Sequence, residues 1–381
     1  MIYMDNAATT RLSGRALEAM MPYLTEQYAN PAGTYSFTHA SNAAMEKARK
    51  QVADVIGATS AEIFFTSGGT ESDNWALKGT MRANEKKGRH LIISAIEHHA
   101  ILHSAKALER EGFEVTVLPV DADGVVAPEA VEAAIRPDTV LVSIMAANNE
   151  IGTIEPLEAI GAVCKRHGVI FHTDAVQAFG HIPLNVEQMH IDLLSVSGHK
   201  IHGPKGVGFL YINEKVKIIP QILGGGQQSG MRSGTDNVPG IAGLGVAAGQ
   251  IYRNLDENVE HMYQLKEHIA KGLSEIEDIR INGMPLREGA PQILSISVMG
   301  VRSEVLLHSL EDKGIYISAG SACSSHKRKP SATLSAMGMS KDQIESTVRL
   351  SFCEENTIEE ADYFLDTMKT LVPMLRRYSR K

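Results

Sequence analysis

Strand-like and helix-like segments alternate along the first part of the chain, and this alternation limits the fold more than any other feature. Short apolar runs typical of buried strands occupy residues 63–67, 91–96, 115–119, 139–145, 169–173, 193–197 and 207–212. Segments with helical spacing of apolar residues flank or separate many of them, among them 43–57, 100–110 and 156–167. This pattern predicts an α/β fold of three layers, in which helices cover a mostly parallel sheet.

The alternation changes after about residue 240. A long helical stretch through about residue 276 is followed by a strand-like run at 293–298, a helix from Ser303, a short strand at 315–318 and a terminal helix from Ile358. A length of 381 residues also suits two or three domains. We therefore expect a large domain over 15–250 and a smaller α+β domain formed by 1–14 together with 251–381.

Charge and hydropathy exclude several classes of protein. The 37 Lys and Arg residues are outnumbered by 45 Asp and Glu, a net charge of −8, whereas direct binding of nucleic acid needs a dense basic surface. No run of 18 apolar residues is present, and the first residues lack the pattern of a signal peptide. We therefore expect neither a membrane-spanning helix nor a secreted protein.

The cysteines and histidines refine this expectation. Three cysteines, Cys164, Cys323 and Cys353, are too few for a disulfide framework in a chain this long, so reduced thiols and a cytoplasmic location are predicted. The fifteen histidines include several between residues 172 and 202, but none at the compact spacing of a metal motif. We expect no bound metal.

Polar residues directly after the predicted strands are the candidates for chemistry, because ligands bind beyond the carboxyl ends of parallel strands. Five groups are present: GGTE at 68–71, EHH at 97–99, NNE at 148–150, Asp174 with Gln177, and SGHK at 197–200. Each also has an ordinary interpretation. The glycines can form a simple turn before a helix, Asp174 can be a helix N-cap or a metal ligand, and Lys200 can be a solvated loop charge.

A single cofactor accounts for these groups together. Glycines that open a helix suit a phosphate, an acid at a strand end suits a basic ring nitrogen, and a desolvated lysine suits an aldehyde. Pyridoxal 5'-phosphate (PLP) carries all three of these groups. In this interpretation Thr70 binds the phosphate, Asp174 pairs with the pyridine nitrogen and Lys200 condenses with the aldehyde.

Six strings of the sequence also resemble one family. They are YMDNAATT at 3–10, TSGGTESDN at 66–74, NNEIG at 148–152, SGHK at 197–200, MRSGT at 231–235 and SAGSACS at 318–324. Together they resemble the cysteine desulfurases of the NifS/IscS type, which are class V aminotransferases with the PLP fold-type I architecture. The match is collinear from residue 3 to about 352, and the surroundings of Cys323 resemble the first group of these enzymes.

The resemblance implies a homodimer with active sites at the subunit interface, and a role for each site residue. Lys200 would hold the cofactor through its aldehyde, Asp174 would keep the pyridine nitrogen protonated, and His98 would stack on the ring. Asn149 and Arg349 would bind the substrate carboxylate. The other expected cofactor contacts are Gly69, Thr70, Gln177, Ser197, His199 and, from the other subunit, Thr235.

The implied reaction converts L-cysteine to L-alanine. Lys200 and His98 would move protons, while the Cys323 thiolate would attack the substrate sulfur and keep it as a persulfide. The basic run HKRK at 326–329 either lowers the pKa of Cys323 or is a solvated loop. Cys164 and Cys353 fit inert packing positions.

The sulfur acceptor and two other functions stay open at this point. QQS at 227–229 replaces the histidine and charged residues usual in housekeeping members, and the sequence stops at Lys381 without their longer scaffold-docking tail. The acceptor is an iron–sulfur scaffold, a tRNA-thiolating enzyme or a cofactor pathway. The alternatives are a selenocysteine lyase or other class V enzyme and, as a non-enzymatic function, a weakly catalytic sulfur-transfer partner.

Overall fold

The computed structural model describes residues 1–319 and 330–379. In chain order its strands are β1 (Ile2–Tyr3), β2 (Ile63–Thr66), β3 (His90–Ser94), β4 (Glu114–Leu118), β5 (Thr139–Ser143), β6 (Ile170–Asp174), β7 (Leu193–Ser197), β8 (Gly208–Ile212), β9 (Ile279–Asn282), β10 (Ile293–Val298), β11 (Ile315–Tyr316), β12 (Ser318–Ala319) and β13 (Thr347–Ser351). The α-helices are α1 (Gly14–Thr25), α2 (His39–Ile56), α3 (Gly69–Ala83), α4 (His99–Arg110), α5 (Pro128–Ala134), α6 (Leu157–His167), α7 (Val238–Arg253), α8 (Leu255–Leu273), α9 (Ser303–Glu311), α10 (Ala332–Ala336), α11 (Lys341–Glu345) and α12 (Ile358–Ser379). All seven strands expected between residues 63 and 212 are present.

A seven-stranded sheet in the order β2-β8-β7-β6-β5-β3-β4 forms the centre of the fold. The pairs from β7 to β4 are parallel, whereas β8 runs antiparallel to both β2 and β7. Because β2 and β7 both run antiparallel to β8, they point in the same direction and end at the same edge of the sheet. The expected mostly parallel sheet is confirmed.

Side chains alternate between two hydrophobic clusters on opposite faces of this sheet, as the two-residue period of a strand requires. Leu91 and Ile93 pack with residues of α3 and α4, whereas Ile92 packs with residues of α1, α2, α6 and α7. Both faces are therefore covered by helices, which confirms the three-layer prediction. None of the helices in the described residues is long and apolar enough to cross a membrane.

A second sheet, antiparallel and in the order β12-β13-β10-β9, lies in the later part of the chain. Its hydrophobic cluster contains Met4 and residues between 262 and 375, many of them from α8, α9 and α12. The first residues join the same region, because β1 pairs in parallel with β11. This grouping supports the proposed division into 15–250 and 1–14 with 251–381, which stays a proposal.

Three details differ from the sequence-based expectation. The long helical stretch is two helices, since Asn254 leaves the helical conformation (φ −117°, ψ 26°) and Asp256 and Glu257 begin a new helix with favourable charges. The strand expected at 315–318 is divided at Ile317 between two sheets. Strand β9 was not predicted, because its four residues include exposed Arg280 and show too short an alternation.

Candidate active site

Three segments that are distant in sequence line one cavity at the edge where β2 and β7 end. Strand pairing places Thr66 and Ser197 opposite the same residue, Gly208, so the loops that follow the two strands lie side by side. The cavity has a volume of about 360 Å³. Its lining residues are Thr9, Ser67, Gly68, Gly69, Thr70, Glu71, Ser197, His199, Lys205 and Gly206.

Glycines leave this cavity open at the N-terminus of α3. Gly68 has φ 143°, in the region that glycine adopts readily. A Cβ atom on Gly69 would lie 2.5 Å from Cγ2 of Val176, so no larger residue fits there unchanged. The first N–H groups of a helix lack intrahelical partners and attract anions, so the residues present fit the phosphate of PLP.

An ion pair closes the rim of the cavity. Nε of Arg232 lies 2.9 Å from Oε1 of Glu71, and the backbone N–H of Ser67 donates to Oε2 at 2.8 Å. Burial alone would raise the pKa of Glu71, but the hydrogen bonds from Arg232 and Ser67 outweigh it, so the pKa is lowered. The pair limits the repulsion that an unpaired Glu71 would exert on a phosphate.

Asp174 and His98 come together beside this cavity. Asp174 ends β6 and is 5% exposed, and its Oδ1 accepts a hydrogen bond from the Val176 N–H at 2.9 Å. Burial raises the pKa of Asp174, while the hydrogen bond from the Val176 N–H and the charge of Lys200 oppose the rise. His98 caps α4 through Nδ1, which accepts the Ala100 N–H at 3.2 Å and leaves Nε2 to carry the ring proton.

Lys200 is held by backbone carbonyls of the N-terminal segment. Its Nζ donates to the carbonyl oxygens of Ala7 at 2.5 Å and Ala8 at 2.9 Å, and Gln177 Nε2 donates to the Ala7 oxygen at 2.9 Å. Next to Lys200, burial and the charges of Lys200 and Lys205 lower the pKa of His199 to about 4. His199 is therefore neutral at pH 7.

Arg349, in the middle of β13, also contacts the backbone of Asn149. The Arg349 side chain is 6% exposed; its Nη2 lies 2.7 Å from Oδ1 of Asp5, and its Nη1 donates to the Asn149 backbone oxygen at 2.6 Å. Within the described residues, the buried Nε of Arg349 has no hydrogen-bond partner. A partly unsatisfied buried guanidinium is suited to binding a carboxylate.

The roles of two predicted site residues stay predictions. Thr235 is exposed and is not among the residues that line the cavity, so its expected role in a second subunit stays a prediction. Cys323 and the basic run at 326–329 lie outside the described residues. The other two cysteines, Cys164 and Cys353, are both buried. Burial raises the pKa of Cys164 to about 12, so this thiol is inert at neutral pH.

Sequence reasoning gave no individual role to several residues that build the site. Thr9, the carbonyl groups of Ala7 and Ala8, and the Glu71–Arg232 pair all border it. The run of small residues Ala7, Ala8 and Thr9 was the available signal, because small side chains let a backbone approach closely. Which carbonyl meets which donor depends on the fold.

The structure also gathers a group that the histidine spacing did not reveal. Potential ligand atoms of His202, Cys353 and Glu354 lie within 4.8 Å of one another. Spacing along the sequence could not show this, because His202 is about 150 residues from the other two. The expectation that the protein holds no metal stays a prediction.

Comparison with known proteins agrees with this geometry. The aminotransferase class-V family profile matches residues 2–364. The cysteine desulfurase IscS of Methanosarcina thermophila is 47% identical over 99% of this chain and 93% of its own length. A solved NifS-like protein superposes with a TM-score of 0.92 at 42% identity, covering 98% of this chain and all of its own. A structure described as SspA in complex with cysteine gives a TM-score of 0.83 at 35% identity, covering 94% of this chain and all of its own. The chain therefore belongs to the class V aminotransferase family and, within it, to the cysteine desulfurases.

Proposed function

We propose that this protein is a PLP-dependent cysteine desulfurase that removes the sulfur of L-cysteine and retains it as a persulfide on Cys323. The observation that carries the proposal is the arrangement of Lys200, buried Asp174 and the glycine-lined helix terminus at one edge of the sheet. Family membership supports the activity, and the relative described in complex with cysteine supports the substrate.

The residues of the site would hold PLP through its phosphate, its ring and its ring substituents. Gly69, Thr70, Ser197 and His199, with Thr235 of a second subunit, would bind the phosphate; Asp174 would pair with the ring nitrogen, Gln177 with the ring hydroxyl, and His98 would stack on the ring. When bound, PLP supplies an electron sink for charge that develops at the substrate Cα.

The protein's own groups bind the substrate and move its proton and its sulfur. Arg349 and Asn149 would bind the substrate carboxylate, and Lys200 and His98 would accept and return a proton at Cα. The Cys323 thiolate forms a new S–S bond as the substrate C–S bond breaks. The electron pair of the broken bond stays on the carbon fragment, which takes up a proton and leaves as L-alanine.

An exposed apolar face supports the proposed homodimer. Leu17, Met21 and Leu24 follow one another at helical spacing on α1 and are 46–54% exposed, and exposed Tyr28 and Tyr35 follow in the next loop. Five large apolar side chains within nineteen residues form a surface that a second subunit would bury. A second subunit is also what would bring Thr235 to the cavity.

The persulfide sulfur must be accepted or reduced before another turnover, and this requires a reducing compartment. The proposal therefore includes a cytoplasmic location and an acceptor protein. The acceptor class is an iron–sulfur scaffold, a tRNA-thiolating enzyme or a cofactor pathway. Membership of the cysteine desulfurases does not favour a selenocysteine lyase or a non-enzymatic partner.

The test is incubation of the purified full-length protein with L-cysteine and a thiol reductant, with alanine and sulfide both measured. We expect equal amounts of the two products from the wild type and none from Lys200→Ala. Cys323→Ser should lose sulfide release from cysteine. Lys215→Ala and Cys164→Ala, at an exposed loop and at a buried inert thiol, serve as the matched controls. A wild type that forms no alanine would overturn the proposal.

A further inference from the structure

Asp5 is an acidic residue beside Arg349 to which the proposed reaction gives no role. Its Oδ1 lies 2.7 Å from Nη2 of Arg349, and the two side chains are 19% and 6% exposed. Within residues 1–319 and 330–379, Arg349 has no other acidic partner. Removing one member of such a largely buried ion pair is costly, because it leaves the other charge uncompensated.

Two acceptors hold the planar guanidinium of Arg349. Its Nη2 donates to Oδ1 of Asp5 at 2.7 Å, and its Nη1 donates to the backbone oxygen of Asn149 at 2.6 Å. Contacts at two different nitrogens fix both the place and the plane of this rigid group. The buried Nε has no hydrogen-bond partner among the described residues, so N–H donors remain for a ligand.

The backbone of Asp5 is fixed to the strand that carries Arg349. The Ser351 N–H donates to the Met4 oxygen at 2.8 Å, and the Asn6 N–H donates to the Ser351 oxygen at 3.2 Å. Both neighbours of Asp5 therefore bond to Ser351, which lies two residues after Arg349 in β13. A short side chain has few rotamers, so a backbone held in this way presents the Asp5 carboxylate at a defined place.

The nearby acid Glu150 does not share this task. Its Oε2 accepts a hydrogen bond from Ser331 Oγ at 2.5 Å, and its Oε1 accepts one from Thr333 Oγ1 at 3.4 Å. Both carboxylate oxygens of Glu150 are thus engaged with residues at the start of α10. The carboxylate that can orient Arg349 is therefore that of Asp5.

We propose that Asp5 is a positioning residue, whose carboxylate orients the guanidinium of Arg349 so that its remaining N–H donors bind the carboxylate of the substrate. This role deepens the proposed function and rests on it for the substrate role of Arg349. Because Asp5 acts through Arg349, its loss should weaken the binding of ligands that carry a carboxylate and spare ligands that do not.

The test compares Asp5→Asn and Asp5→Ala with the control Asn6→Ala in the full-length protein. Asparagine keeps an acceptor oxygen for Nη2 of Arg349, whereas alanine keeps none. Asn6 holds the same segment, since its Nδ2 donates to the Ser351 oxygen at 3.1 Å and to Oδ1 of Asn356 at 3.3 Å. Asn6→Ala therefore loosens the segment without removing a hydrogen-bond partner of Arg349. Circular dichroism first establishes that each variant is folded.

The first measurement is the dissociation constant of L-alanine and of L-alaninamide on the PLP-loaded protein. The two ligands differ in the carboxylate, which a neutral amide replaces in L-alaninamide. We expect the dissociation constant of L-alanine to rise about tenfold or more in Asp5→Ala and to stay within about threefold of the wild type in Asp5→Asn. That of L-alaninamide should stay within about threefold in both, and Asn6→Ala should weaken both ligands by the same factor.

The second measurement reports the guanidinium itself, by nuclear magnetic resonance without PLP or ligand. The Nε–H signal of Arg349 is assigned by its absence from Arg349→Lys. We expect this signal to shift or disappear in Asp5→Ala and to move much less in Asp5→Asn and Asn6→Ala.

Any of three results overturns the inference. They are a dissociation constant of L-alanine that rises no more than that of L-alaninamide in Asp5→Ala, L-alanine binding as weak in Asp5→Asn as in Asp5→Ala, and an unmoved Arg349 signal in Asp5→Ala. If Asp5→Ala does not fold, Asp5→Leu takes its place, since leucine is of similar size and offers no acceptor. If Arg349→Lys leaves L-alanine binding unchanged, the proposed substrate role of Arg349 fails, while the resonance still reports whether Asp5 orients the guanidinium.

Discussion

Glu354→Gln tests the ion pair that fixes the N-terminal segment near Lys200. Nε2 of His202 lies 3.3 Å from Oε2 of Glu354, and the two side chains are 9% and 30% exposed. The other ring nitrogen of His202, Nδ1, lies 2.9 Å from the carbonyl oxygen of Arg11. The ion pair therefore connects the end of β13 with the segment whose carbonyl groups hold the Lys200 amine.

The expected magnitude follows from the pKa of His202. Burial alone would lower this pKa, but hydrogen bonds with Cys353 and Glu354 outweigh the burial and raise it from 6.5 to about 10. At 1.36 kcal/mol per pH unit, this rise corresponds to at most about 5 kcal/mol of stability. Because Cys353 shares the interaction and Glu354 is partly solvated, we expect Glu354→Gln to cost about 2–3 kcal/mol near pH 6.

The sign of the pH dependence distinguishes this cause from a simple packing defect. A raised pKa in the folded protein stabilises it fully below the unfolded value of 6.5, and this contribution disappears as the pH rises towards 10. The difference in unfolding free energy between wild type and Glu354→Gln should therefore shrink over this range in urea titrations at 25 °C.

Glu355→Gln is the matched control at the neighbouring position. Glu355 pairs with Arg11 at 3.2 Å, but the two side chains are 53% and 80% exposed. Such surface pairs contribute about 0–1 kcal/mol, so this variant should unfold almost as the wild type does at every pH. A Glu354→Gln curve that stays parallel to the wild type from pH 6.5 to 10 would refute the argument.

Three further substitutions test the substrate role of Arg349, the opening of the cavity at Gly69 and the proposed dimer surface. Arg349→Lys loses the planar pair of donors, so we expect kcat/KM for L-cysteine to fall about tenfold or more with little change in PLP affinity; an equal loss of both would contradict a substrate role. Gly69→Val places a side chain where even a Cβ atom meets a valine methyl at 2.5 Å, so the dissociation constant of PLP should rise about tenfold or more. Gly14→Ala, with open space around it, is the control, and equal PLP binding in the two variants would exclude steric closure. Leu24→Glu puts a charge on the exposed face of α1, so light scattering should show a shift from dimer to monomer, unlike Val305→Glu on another exposed helix.

The central sheet was predictable because most of its strands are buried on both faces and read as short apolar runs, whereas the edge strand β4 is partly exposed. The run at 193–197, for example, coincides with β7. The antiparallel placement of β8 was not predictable in the same way, because its residues are as apolar as those of the parallel strands. The direction of β8 depends on the short connection from Lys200 to Gly208, which turns the chain back so that β8 pairs antiparallel with β7.

The site was predictable wherever a functional group follows a strand. Asp174 and Lys200 were identified in this way, and the strand order brings their loops together. Partners that donate or accept through the backbone carry no such signal, which is why the Ala7 carbonyl was missed.

The N-terminal segment connects the two sheets next to Lys200. The Ala7 carbonyl accepts hydrogen bonds from Gln177 and Lys200, while its N–H donates to Ser351 Oγ at 2.9 Å at the end of β13. Since these contacts use backbone atoms of Ala7, replacing its side chain cannot remove them selectively. The position of the Lys200 amine therefore depends on how firmly the segment is attached at both ends, at Ser351 and at His202. This is why a substitution as remote as Glu354→Gln should shift the position of the Lys200 amine together with the stability of the fold.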